Sequence, residues 1–157
     1  MTRILRFIQM FALGTWVGSI IFLSFVVTPA LFALLANRDQ AGDVVGFALT
    51  RLHLLGMIAA IAYLIAGFWL SGSPRVLCRP GSLAIVAMLA LTIVSQQVVR
   101  PRMTRLRTEM GSIEATPAES PLRAKFDSLH AAAVRLEGAV LLLGIAAIYF
   151  TVREQTI

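Results

Sequence analysis

The chain has 157 residues, of which 58% are hydrophobic and only 14% charged, with a net charge of +6. Soluble domains carry about 25% charged residues, so too little polar surface is present to cover a water-soluble globule, and a mean hydropathy of +0.82 makes lipid the expected solvent. The positive balance does not imply nucleic acid, because no RNA- or DNA-binding motif is present and arginines at the ends of apolar helices act as anchors for lipid phosphates.

The chain opens with the basic segment Thr2-Arg3-Ile4-Leu5-Arg6, followed by an uncharged run from Phe7 to Asn37. About 20 apolar residues cross a hydrocarbon core of about 30 Å, so this run predicts a first membrane-spanning helix over about 7–35. A basic start before an apolar run also resembles a signal peptide, with Pro29-Ala30-Leu31-Phe32-Ala33 as a small-residue cleavage zone. The run is too long for the apolar region of such a peptide. Trp16 and Ser19 bring polar groups to this helix, and Gly14 and Gly18 form a small-xxx-small pattern on it.

The second span is expected over about 52–72, and its helix starts outside the membrane with Asn37 or Asp39 as the cap. It carries His53 near its entry and a second small-residue pair, Gly56 and Ala60. Such faces let membrane helices approach closely; they serve either packing within the bundle or contact with a second copy or another membrane protein. The third span, over about 81–99, is bounded by Arg79 and Arg100 and brings Gln96 and Gln97 near its end. Cys78 is the sole cysteine, which excludes an intramolecular disulfide and a thiol pair for redox exchange.

The fourth span, over about 131–151, belongs to a longer helix entered through Ser120 as N-cap and Pro121 at its first position. His130, Arg135 and Glu137 lie on it. Polar groups inside a bilayer are costly and often functional. Counting back about 20 residues from Val152 puts the membrane boundary near Ala133, so Arg135 and Glu137 sit about a turn inside, where snorkelling is cheap.

None of the runs shows the alternation of an outer-membrane barrel. The expected fold is all-α, an integral membrane four-helix bundle in one domain over residues 1–157. Two pseudo-repeated hairpins build it. Val26-Val27-Thr28-Pro29 ends the first span and Val98-Val99-Arg100-Pro101 the third, and the prolines are expected to end or kink those helices. The following helices are entered through Val45, Leu49, Leu52, His53 and through Leu122, Phe126, Leu129, His130, with identical spacings. This pairing makes His53 and His130 equivalent and sets both near one membrane surface. Orientation has two opposed signals. The flanks of the first span favour a cytoplasmic N-terminus, whereas Lys and Arg summed over the connections favour the 1–2 and 3–4 side, by eight to five.

His53, His130, Arg135, Glu137, Gln96 and Gln97 form the candidate ligand-binding cluster, at one end of the bundle. Three readings follow. The cluster binds or passes a small ligand or ion; or His53 and His130 ligate a haem or a metal, with Arg135 near a propionate; or the chain is a scaffold or accessory subunit. No catalytic motif is present. A cell (inner) membrane is the expected location.

Gly14-Thr15-Trp16-Val17-Gly18, Val27-Thr28-Pro29-Ala30-Leu31-Phe32, Arg51-Leu52-His53 and Phe126-Asp127-Ser128-Leu129-His130 resemble the transmembrane protein 205-like family, small four-helix membrane proteins of a domain of unknown function. The resemblance implies a membrane location and a four-helix fold, and no reaction. A looser likeness reaches bacterial membrane protoporphyrinogen oxidases and copper-resistance D proteins, but Lys125, the only lysine, lies outside the fourth apolar run and leaves no intramembrane lysine partner.

Overall fold

The computed structural model describes residues 1–156 and has no strand among them. Helix α1 (Thr2–Phe22) runs through a wide π turn at Leu23–Val27 into α2 (Thr28–Leu34), and together they form the first span. Helix α3 (Arg38–Ser71) is the second. After a 3₁₀ turn at Pro74–Cys78, α4 (Pro80–Val94), a second π turn at Ser95–Val99 and α5 (Arg100–Met110) make the third, and α6 (Pro121–Thr156) the fourth. All four spans are long and apolar enough to cross a membrane. The chain is therefore an integral, multi-pass membrane protein. Helices α3 and α6 start well before their apolar stretches, as the caps predicted. At about 1.5 Å per residue they exceed the hydrocarbon thickness and project beyond it.

Local chemistry sets the ends. Asn37 Oδ1 accepts hydrogen bonds from the backbone N–H groups of Asp39 at 2.9 Å and Gln40 at 3.1 Å, capping α3. The helix stops at Gly72, whose φ of 61° lies in the left-handed region that glycine enters freely. Pro29 and Pro101 each lack an N–H and crowd the carbonyl four residues back. Just ahead of each, the helix widens: Thr28 N–H reaches the Leu23 carbonyl and Arg100 N–H the Ser95 carbonyl, five residues back. The expected kinks take the form of matched π turns.

Helix α1 packs on α3 and α4 on α6, and the two hairpins close on each other through α1–α6 and α3–α4 contacts. Helices α3 and α6 thus face each other across the bundle diagonal. Leu13, Trp16, Ile20, Tyr63, Ile85 and Met88 fill the centre. Phe7, Phe11, Ile58, Trp69 and Leu142 point outward, as expected where lipid is the solvent. The two small-residue faces part ways. Gly56 and Ala60 are buried, and a Cβ on Gly56 would come within 2.2 Å of Trp16 Nε1. Gly14 and Gly18 are exposed with open space around them, so only that face is free to meet another helix.

Burial confirms the repeat and corrects its register. In the first and third spans, buried residues recur 72 positions apart: Ala12 with Ala84, Leu13 with Ile85, Trp16 with Met88, Ile20 with Thr92, Leu23 with Ser95. In the second and fourth they recur 84 apart, pairing Gly56 with Val140, Ala60 with Gly144, Tyr63 with Ala147 and Gly67 with Thr151. That register matches His53 with Glu137, not with His130. It also aligns Arg51-Leu52-His53 with Arg135-Leu136-Glu137. The two registers differ by seven residues, about two helical turns, so they share a face but differ in depth by about 10 Å.

Candidate functional site

The 84-residue register sets two ionisable side chains opposite each other. His53 Nε2 lies 3.0 Å from Glu137 Oε2, with side-chain exposures of 3% and 17%. The bond crosses the bundle from α3 to α6. Two residues earlier on each helix, Arg51 and Arg135 are exposed. Positions two apart on a helix point to nearly opposite sides, so the arginines face outward while His53 and Glu137 face inward. Arg51 lies 5.2 Å from the Phe47 ring centre.

Two further groups reach this depth. The Trp16 indole rests on Gly56, one turn beyond His53 on α3. Thr92 follows from counting along the helices. Gly81 abuts the Tyr63 hydroxyl; Thr92 is eleven residues from Gly81 and His53 ten from Tyr63, so both stand roughly 15 Å above that level. Trp16, His53 and Thr92 are each at most 2% exposed. Four buried side-chain polar atoms have no hydrogen-bond partner among the described residues: Trp16 Nε1, His53 Nδ1, Thr92 Oγ1 and Glu137 Oε1. Each comes from a different span. Buried polar atoms are nearly always paired, and an unmet one costs about 1–3 kcal/mol. Here all four belong to one layer of the bundle.

The chemistry of the pair follows from its atoms. With Glu137 ionised and His53 neutral, Nε2–H donates to the carboxylate. Adding one proton, on the imidazole or on the carboxyl, removes the net negative charge and leaves the hydrogen bond in place.

Of the other sequence candidates, His130 is exposed and stacks on Phe126 with ring centres 6.3 Å apart. It stands seven residues, about 10 Å of helix, from Glu137, so the two histidines are not brought together. Gln96 accepts a hydrogen bond from Arg100 Nη1 at 3.3 Å, and Gln97 is exposed. Both lie in the π turn at Ser95–Val99. Trp16 was visible only as a polar-edged residue of the first span. Thr92 was missed, and the 72-residue burial period is the signal that finds it.

A family model described as a domain of unknown function (DUF4149) matches residues 11–112. Neither a curated protein nor a solved structure matches the chain.

Proposed function

Since the chain belongs to the DUF4149 family, a domain of unknown function, we propose that it binds or passes a small ligand or ion through the polar layer at His53 and Glu137. The carrying observation is the part-buried, hydrogen-bonded pair, whose far atoms His53 Nδ1 and Glu137 Oε1 are unpaired along with Trp16 Nε1 and Thr92 Oγ1. An ionisable residue held inside a membrane bundle is costly unless it serves a pathway or a site. A layer built only for stability would be apolar, or would satisfy all its members. The likeness to transmembrane protein 205-like proteins supports the same membrane setting and adds no reaction.

The test is flux in proteoliposomes holding the purified chain, with protons, monovalent cations and small organic solutes as candidates. Glu137→Gln keeps the side chain's shape and a hydrogen bond to His53 but cannot ionise. It should remove the flux while leaving the unfolding midpoint close to that of the parent. If no candidate solute moves through the parent protein, the reading fails.

A further inference from the structure

We infer that the species handled by this layer is the proton, and that its port on the opposite face of the bundle is the cavity beside Tyr63, Thr151 and Glu154. The inference rests on the reading above and names its substrate and second opening.

The cavity encloses about 240 Å³ where the start of α1, the 2–3 connection and the end of α6 meet. At about 30 Å³ per molecule it has room for several waters. Gln9, Arg79 and Ser82 line it with Tyr63, Thr151 and Glu154. Ser82 is 2% exposed. Gln9 Nε2 donates to the Tyr63 carbonyl at 3.4 Å. The charged groups facing the cavity are Arg6 from α1, Arg79 before α4 and Glu154 from α6.

At its floor the hydroxyls form a directed chain. Thr151 Oγ1 donates its single proton to the Ala147 carbonyl at 2.7 Å. The 2.6 Å contact between Tyr63 and Thr151 must therefore be donated by the tyrosine. The Tyr63 oxygen is left able to accept a hydrogen bond from cavity water. Glycine at 81 permits this, since a Cβ there would sit 2.9 Å from the Tyr63 hydroxyl and 3.2 Å from Thr151 Oγ1. Glu154 Oε1 accepts from Gly81 N–H at 3.3 Å and stands beside them.

Both carboxylates lie on one stripe of α6. Glu137, Val140, Gly144, Ala147, Thr151 and Glu154 follow at spacings of three and four, which keeps them on a single face. From Glu137 to Glu154 is about 25 Å of helix, most of the hydrocarbon thickness. Between the two polar levels the bundle is closed by apolar side chains. A Cβ at Gly144 would meet Val17 Cγ2 at 2.6 Å and Met88 Cε at 3.1 Å. A hydrated ion or an organic solute needs a pore there. A proton needs only a brief file of water through a hydrophobic constriction, and Met88, unbranched and flexible, is the side chain that can swing to admit it. The balance is simple: one proton enters from cavity water beside Glu154, one leaves from the His53–Glu137 pair, and no electron moves.

The full chain, reconstituted in vesicles enclosing a pH-sensitive dye and driven by a potassium diffusion potential, decides the matter. Glu154→Gln and Tyr63→Phe should each slow proton movement at least about tenfold, less than the hundredfold or more that a positioned acid–base group contributes. The glutamine oxygen still accepts from Gly81 N–H and phenylalanine keeps the ring, so unfolding midpoints should hold; if Tyr63→Phe fails to fold, Glu154→Gln decides alone. Proton rates unchanged in these variants but lost in Glu137→Gln would overturn the port and leave the proposed function standing. Glu137-dependent flux of another ion or solute, with no proton movement, would overturn the proton. An absence of any flux sinks the proposed function itself.

Discussion

Two polar regions of this protein obey opposite rules. Outside the membrane, the 1–2 turn and the 3–4 connection are laced together with their polar atoms met. Asp39 accepts from Ser112 Oγ at 2.5 Å and from Ile113 N–H at 3.1 Å. Arg107 bonds the Asp39 carbonyl and pairs with Asp43 at 2.8 Å. Arg123 bonds the Ile113 carbonyl and pairs with Asp127 at 3.2 Å. Inside the bundle, the layer of Trp16, His53, Thr92 and Glu137 leaves one atom unmet on each member. In the belt water can meet a loose end; inside the bundle four buried atoms are left unmet among the described residues. On the proposed reading the unmet polar atoms inside the bundle belong to a site, whereas the belt outside is structural.

Substitutions can break that contrast, and the largest effect is expected at Glu137. Glu137→Gln should lower flux about a hundredfold or more, within the range of a lost acid–base group, with little change in unfolding midpoint; the liposome assay and a detergent unfolding curve read both. His53→Ala should instead act on stability. It strands the Glu137 carboxylate without its partner, at a cost of about 3 kcal/mol. In a double-mutant cycle with Glu137→Ala, the combined loss should fall clearly below the sum of the two. A simple sum would mean that the pair is not coupled. Gly56→Ala comes next, since its Cβ would strike the Trp16 indole; overpacking of this kind costs about 1–3 kcal/mol. Gly14→Ala, facing open space, should stay within about 0.5 kcal/mol of the parent. Ser112→Ala sharpens the comparison from the other side. Removing the hydroxyl that donates to Asp39 and accepts from Ala115 N–H should cost about 1–2 kcal/mol and leave flux untouched. If Ser112→Ala stops flux, the belt is more than structural.

Much of this was legible in the chain. The four spans followed from run length, Asn37 announced a cap, and Pro29 with Pro101 marked the two places where helices widen. His53 and Glu137 stood out as ionisable groups in apolar surroundings. Their partnership did not. Leu129-His130 matches Leu52-His53 by spacing, and a seven-residue slip returns a helix to the same face. The tripeptides Arg51-Leu52-His53 and Arg135-Leu136-Glu137 carried the true register, hidden because histidine and glutamate do not look alike. Gln96 and Gln97 were assigned from their place near the end of the third span, and the structure sets them in a π turn. Thr92, Tyr63, Thr151 and Glu154 gave no sign as isolated residues; their meaning lies in what stands opposite.

By itself the sequence settled the solvent and therefore the architecture. With so few charges the chain must sit in lipid, and a backbone in lipid must satisfy its hydrogen bonds within each helix. Which polar groups meet inside the bundle was decided by tertiary structure alone. Helix depth and rotation depend on how Trp16 seats on Gly56 and how Val17 and Met88 close on Gly144. Such contacts join residues far apart in the chain, and each is a matter of fit between surfaces, which no local pattern of apolar residues encodes.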